Sequence, residues 1–96
     1  MCEFNQVRRV ALNGSAKTAS GWSEVADGQV YHDHFIRAQV EEGIVIDLFP
    51  PGPKERVGVC LELDAAAARE LARAILATVE GLESKRAETA ARLGRV

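Results

Sequence analysis

The fold class is decided by the stretch from Val57 to Leu82, VGVCLELDAAAARELARAILATVEGL, because its hydrophobic period changes at Asp64. Before Asp64, apolar residues alternate with small or polar ones, which is the period of a strand with one buried face. After Asp64, they recur every three or four residues, which is the period of an amphipathic helix. Asp64 itself is a favourable N-cap residue. The pattern therefore predicts a strand from Arg56 to Leu63 and a helix that begins at Ala65.

Upstream of this stretch, the sequence predicts further strands joined by short connections. Alternating and β-branched segments favour strands over residues 6–13, 22–26, 29–39 and 44–49. Asp27-Gly28 is a two-residue hairpin signal, and Glu41-Glu42-Gly43 is typical of a tight turn. Residues 14–21 are small, polar and bounded by glycine, so we expect a mobile loop there. The fold class predicted is α+β: an antiparallel β-meander of about five strands with one C-terminal amphipathic helix packed on one face.

Length and composition limit the classes of protein that need to be considered. The chain has 96 residues, of which 47% are hydrophobic and 27% charged, values typical of one globular domain. We expect a single domain over residues 1–83, and a helical or frayed tail over residues 84–96. The net charge of −2 argues against a nucleic-acid partner. No apolar run is longer than the four residues of Ala65–Ala68, which argues against a membrane span. Two cysteines without a signal peptide predict a reducing, cytoplasmic location.

The two faces of the predicted sheet differ in polarity. We expect the helix to cover the face that carries Ile44, Ile46, Leu48, Val57, Val59, Leu61 and Leu63. The other face, with Val45, Asp47, Phe49, Gly58 and Cys60, is too apolar to lie in water, so a second chain or a ligand is expected there. A chain this short buries only about 60–65% of its unfolded surface, which favours a homodimer or larger homo-oligomer.

The densest chemical stretch is Val30–Ile36, VYHDHFI, which contains both histidines of the chain. On a strand, His32 and His34 project to one face with their Cβ atoms about 6–7 Å apart. That separation allows two imidazoles to bind one divalent metal, Zn or Fe. The third ligand stays open among Asp47, Glu62 and Cys2. The same histidines could instead be acid–base groups, contact a ligand without metal, or be purely structural.

Four further residues are candidates for a site on this sheet. Asp47 could be a general base if burial raises its pKa, or an exposed partner of an arginine on a neighbouring strand. Lys17 could bind an anionic substrate group, and Trp22 could pack over the apolar part of the ligand, if the loop over residues 14–21 is a lid. Tyr31 is a further ligand-contact candidate. The loop is not a P-loop, because glycine does not directly precede Lys17.

Several short motifs resemble a small actinobacterial protein family without a known activity. They are Met1-Cys2, Gly14-Ser15-x-Lys17, Gly21-Trp22, Val30-Tyr31-x-Asp33-His34 and Glu62-Leu63-Asp64-Ala65-Ala66. Phe35 stands where the pattern has proline. The resemblance implies no activity, but it marks His34, Lys17 and Trp22 as positions to test ahead of His32.

Together these features favour a small homo-oligomeric enzyme whose site lies on the sheet face away from the helix. The expected chemistry is proton transfer of the lyase or isomerase type, or metal-assisted chemistry, on a small anionic or carbonyl-containing metabolite. Two alternatives from other classes stay open. One is a metal-free small-molecule binding protein, and the other is a non-catalytic interaction module with structural histidines.

Overall fold

The computed structural model describes residues 6–34, 42–52 and 58–94, and only the backbone of Glu42. The described strands form one antiparallel sheet in the order β1-β2-β3-β4. Their bounds are β1 Arg8–Thr18, β2 Gly21–His34, β3 Glu42–Phe49 and β4 Val59–Leu63. The helix α1, Ala65–Leu93, follows β4 after one residue. The α+β class and the antiparallel meander are confirmed, and the described residues form four strands rather than about five.

The expected loop over residues 14–21 is wrong, because most of it is strand. β1 continues to Thr18 and pairs with β2 down to Thr18↔Gly21, so only Ala19 and Ser20 form the turn. Gly21 has a φ of 112°, which a residue without Cβ adopts readily. The Thr18 hydroxyl donates to the Gly21 carbonyl at 3.1 Å and closes the turn. A polar segment without apolar periodicity can still pair, because every residue except proline carries a backbone donor and acceptor.

The expected hairpin at Asp27-Gly28 is also wrong, because Gly28 lies in the middle of β2. It pairs with Val10 on one side and Leu48 on the other. A Cβ built at Gly28 would lie 3.1 Å from Leu12 Cδ1, 3.2 Å from Leu48 Cδ2 and 3.0 Å from the Asp47 carbonyl oxygen. The glycine therefore permits a close approach between strands instead of a turn. The two short strands predicted here are one strand, which accounts for the lower number.

The alternation of β1 changes at a β-bulge. The register shifts between Ala11, which pairs with Asp27, and Gly14, which pairs with Val25. Two residues of β1 thus lie opposite one residue of β2. Beyond the bulge, even-numbered residues of β1 share a face with odd-numbered residues of β2. Lys17 consequently lies on the same face as Trp22, its register partner.

The register defines two faces, named here after central β3 residues. The Asp47 face carries Val25, Asp27, Gln29, Tyr31, Val45, Asp47, Phe49, Cys60 and Glu62. The Ile46 face carries Trp22, Gly28, Val30, His32, His34, Ile44, Ile46, Leu48, Val59, Leu61 and Leu63. Among the described residues, the buried apolar side chains are Val25, Val45 and Phe49, all on the Asp47 face. The face assignments predicted for β3 and β4 are confirmed where these residues are described.

The helix α1 begins at Ala65 as predicted and runs for 29 residues, through Gly81 and on to Leu93. None of its residues is buried. The sheet and the helix are separate compact units, and the predicted packing of the helix on one sheet face stays a prediction. Within the described residues, no helix combines the length and the hydropathy needed to cross a bilayer.

We expect the change Gly28→Ala to lower the free energy of unfolding by about 1–3 kcal/mol, because the added methyl group overpacks the contact between Leu12 and Leu48. Urea unfolding followed by far-UV circular dichroism measures this. Gly14→Ala is the matched control on the neighbouring strand, since a Cβ there meets no atom within 4 Å. Equal stabilities of the two variants would contradict the assigned role of Gly28.

Candidate functional site

The residues predicted to form one site lie in three separate places on the sheet. Lys17 and Trp22 lie at the β1–β2 hairpin on the Ile46 face. Tyr31 and Asp47 lie on the Asp47 face. The two histidines lie at the far end of β2, on the Ile46 face.

The hairpin residues cannot close over the histidines. Trp22 and His32 are both in β2, and ten residues of strand span about 33 Å. A small metabolite cannot bridge that distance. Trp22 is 70% exposed, and Lys17 pairs with it across the hairpin. The predicted lid is therefore not assembled, while ligand contact by these two residues at the hairpin itself stays a prediction.

The hairpin end does border a cavity of about 190 Å³. Its lining mixes polar and apolar residues, with Thr18, Ser23 and Glu24 from the hairpin, Leu48 from β3, and Pro50 just after β3. Sequence reasoning did not predict this depression, because it arises where the ends of non-consecutive segments meet. It contains neither the histidines nor Asp47.

A hydrogen-bonded polar group is centred on Asp47, which is only 4% exposed. β2 and β4 flank β3, and the register places Gln29 and Cys60 directly beside Asp47 on either side. The Gln29 amide Nε2 donates to Asp47 Oδ2 at 2.8 Å. The Tyr31 hydroxyl and the Cys60 thiol also hydrogen-bond to this carboxylate. We call Gln29, Tyr31, Asp47 and Cys60 the Asp47 network.

The donors of the Asp47 network stay protonated at neutral pH. Desolvation and then the hydrogen bond to Asp47 raise the pKa of Tyr31 to about 12. The same causes, in the same order, raise the pKa of Cys60 to about 11. A thiol with a raised pKa is a poor nucleophile, and a phenol with a raised pKa is a poor acid at neutral pH. The network therefore suits the stabilisation of a buried carboxylate better than acid–base catalysis.

His32 and His34 have a different environment. Both are exposed on the Ile46 face, where their register partners are Ile44 and Glu42. The backbone N–H of His34 donates to Asp33 Oδ1 at 2.7 Å, and His34 Nδ1 lies 3.8 Å from the same oxygen. The prediction that both histidines share one face of a strand is thus confirmed.

Asp47 and Glu62, two of the proposed third ligands, do not join the histidines. Both lie on the Asp47 face, the opposite side of the sheet. Cys2 lies outside the described residues. Among the described side chains, no group of three or more histidine, cysteine or carboxylate residues could hold a metal ion. The prediction of one site with both histidines and Asp47 on the face away from the helix is therefore wrong. The histidines lie on the Ile46 face, which was predicted to carry the helix, and Asp47 lies on the other face.

Glu42 belongs to a strand and not to the predicted turn, because β3 begins there and pairs Glu42 with His34. The sequence does contain a signal for this position. Because side chains alternate along a strand, Glu42, two residues before Ile44, falls on the Ile46 face. Glu42 is consequently the carboxylate residue that the register places next to the histidine pair.

Comparison with known proteins identifies the family of this chain but no activity. Residues 1–89 match the model of the family of unknown function DUF6295. The chain belongs to DUF6295. No curated protein and no solved structure matches it. The resemblance to a family without known activity is confirmed, and the function of this DUF6295 protein has to be argued from its own residues.

Tyr31 is the single tyrosine, so the absorbance of ionised phenol reports on it alone. We expect it to titrate with a pKa of about 12. Asp47→Ala should lower that pKa towards 10.0 without reaching it, because the hydrogen bond is lost and the desolvation remains. Glu24→Ala, in the same strand, is the control and should change nothing. An unchanged pKa in a folded Asp47→Ala protein would contradict the hydrogen bond.

We also expect the protein to lose stability in alkali. The folded-state pKa values of Cys60 and Tyr31 are raised from 9.0 and 10.0 to about 11 and about 12, so the folded state keeps protons that the unfolded state releases. This stabilisation is complete below pH 9 and is lost as the pH rises through these values. Urea midpoints measured across this range should fall, and Asp47→Ala should make the fall shallower. A flat profile would contradict the network.

Proposed function

We propose that this DUF6295 protein is a small homo-oligomeric, metal-dependent enzyme in which His32 and His34 hold a divalent transition metal. The chemistry proposed is proton transfer of the lyase or isomerase type on a small anionic or carbonyl-containing metabolite. The observation that carries the proposal is the position of both histidines on one face of β2, exposed at its end. The Asp47 network, with its raised pKa values, offers no comparable reactive group.

The ligand set supports Zn or Fe as the metal. Two imidazoles on alternate residues of a strand lie about 6–7 Å apart at Cβ, which lets their nitrogens converge on one ion. A carboxylate residue, Glu42, stands opposite His34 in the register. Two histidines and one carboxylate form the set that holds catalytic Zn²⁺ or non-haem Fe²⁺ with open coordination positions. Asp33, whose Oδ1 lies 3.8 Å from His34 Nδ1, is placed to orient that ring.

The proposed substrate class follows from the proposed metal. A divalent ion with open positions binds carboxylate or carbonyl oxygens and polarises them, which acidifies the adjacent carbon–hydrogen bond. Around the metal, the chain offers an apolar surface from Ile44 on the neighbouring strand. A small, metal-chelating metabolite fits an exposed strand end of this kind better than a large ligand.

The test is the metal content of untagged protein purified without chelator. We expect about one Zn or Fe per chain in the wild type and none in the variant His32→Ala/His34→Ala, because three protein ligands are the usual minimum for a catalytic metal. Glu42→Gln should weaken metal binding by at least about tenfold, since it removes the proposed third ligand. Asp47→Asn is the control, because it changes a carboxylate on the opposite face and should retain the metal.

Two outcomes would overturn this function. Absence of metal from the wild type, even after incubation with Zn²⁺ or Fe²⁺, would exclude a metal-dependent site. Equal metal content in the wild type and the double variant would place the metal elsewhere. A ligand that raises the melting temperature of metal-free protein would then support the small-molecule binding alternative.

A further inference from the structure

The helix α1 presents an apolar stripe that no described residue buries. Its members follow an alternating spacing of three and four residues: Ala68, Ala72, Ile75, Val79 and Leu82. Ile75 is 54% exposed, and Val79 and Leu82 are also exposed. This spacing is the one by which two helices interlock side by side. We call these five residues the α1 stripe.

The charges beside the α1 stripe are arranged symmetrically and with opposite sign. Arg69 follows Ala68, and Glu83 follows Leu82, so both lie on the same side of the stripe. Leu76 lies on that side midway between them, seven residues from each. Turning the helix end for end about Ala77, which is adjacent to Leu76, therefore brings the positive position to within two residues of the level of the negative one, on the same side of the stripe. The ion pair between Arg73 and Glu70 lies on the outer side of the helix and does not take part.

We propose that α1 pairs antiparallel with α1 of a second copy of this chain through the α1 stripe. In this register Ile75 packs with Val79 of the second copy, and Ala72 packs with Leu82 of the second copy. The two β-branched residues thus form the central layers, and the small Ala72 lies opposite the large Leu82, which helps to fill the seam. Arg69 meets Glu83 of the second copy, and the two-fold symmetry repeats each contact.

A parallel pair fits the same residues less well. Arg86, four residues after Leu82, continues the spacing of the stripe. A parallel pair would bring equivalent residues to the same level, so that Arg86 of one helix would meet Arg86 of the other. Like charges at that position are unfavourable. In the antiparallel register Arg86 lies instead beside Ala68 of the second copy. The charge pattern consequently favours a second copy of α1 as the partner, in the antiparallel orientation.

This interface goes beyond the proposed metal site and does not depend on it. It does compete with the predicted packing of α1 on the Ile46 face of its own sheet, because one stripe cannot serve both. It also differs from the expected dimer through a sheet face. The oligomeric state of the full chain and of stripe variants distinguishes these arrangements.

The first test is sedimentation equilibrium of the full chain over a range of concentrations. We expect a dimer for the wild type and a monomer for Ile75→Asp, because the charge would be buried in the central layer of the pair. Leu93→Asp is the matched control. Leu93 is also an exposed apolar residue of α1, but in this register no residue of the second helix lies opposite it, so the dimer should persist.

The second test exchanges the flanking charges. Arg69→Glu or Glu83→Arg alone should weaken the dimer about tenfold, because each creates two contacts between like charges. The double variant Arg69→Glu/Glu83→Arg restores opposite charges and should recover the wild-type affinity. Circular dichroism confirms that each variant is folded. A monomeric wild type, a dimer that survives Ile75→Asp, or a double variant no tighter than either single variant would overturn the proposal.

Discussion

A buried carboxylate needs hydrogen-bond donors, and the rest of the sheet depends on how Asp47 obtains them. At 4% exposure, an unpaired charge there would cost several kcal/mol, roughly the stability of a small domain. One register of β2 and β4 against β3 places Gln29 and Cys60 directly beside Asp47. Tyr31 lies on the same face, two residues after Gln29 in β2. A slip of one residue would turn these donors to the opposite face. The network therefore fixes which residues share each face.

That register also fixes where the histidines lie. Because side chains alternate along β2, the strand that turns Gln29 and Tyr31 towards Asp47 turns His32 and His34 away from it. The sheet thus separates a network of protonated donors from an exposed pair of imidazoles. The pKa values of Tyr31 and Cys60 are raised away from neutrality. His32 and His34 are exposed, so that a ligand can reach them. The proposed metal site at the histidines and the hydrogen bonds to Asp47 both depend on this alternation.

Much of the architecture was predictable from local patterns, and the site was not. The alternation in β3 and β4 and the helical period after Asp64 are local, so both the elements and their faces could be predicted. The strand over residues 14–18 has no apolar alternation and is held by backbone pairing with β2, which composition does not reveal. Asp27-Gly28 is a sequence typical of a turn. Gly28 instead permits close packing of Leu12 and Leu48 from two other strands. Placing Asp47 with the histidines failed for the same reason, because the register between strands is a long-range property.

The exposed apolar residues of α1 give the proposed self-association a physical basis. A stable domain needs two packed layers, yet the buried apolar residues described in the sheet are Val25, Val45 and Phe49, and α1 has none. A short chain also buries a smaller fraction of its surface on folding than a long one does. Burying Ile75 and Val79 against a second copy adds apolar contact, and opposite charges at Arg69 and Glu83 limit it to one direction. The apolar seam then supplies the affinity, while the flanking charges supply the specificity.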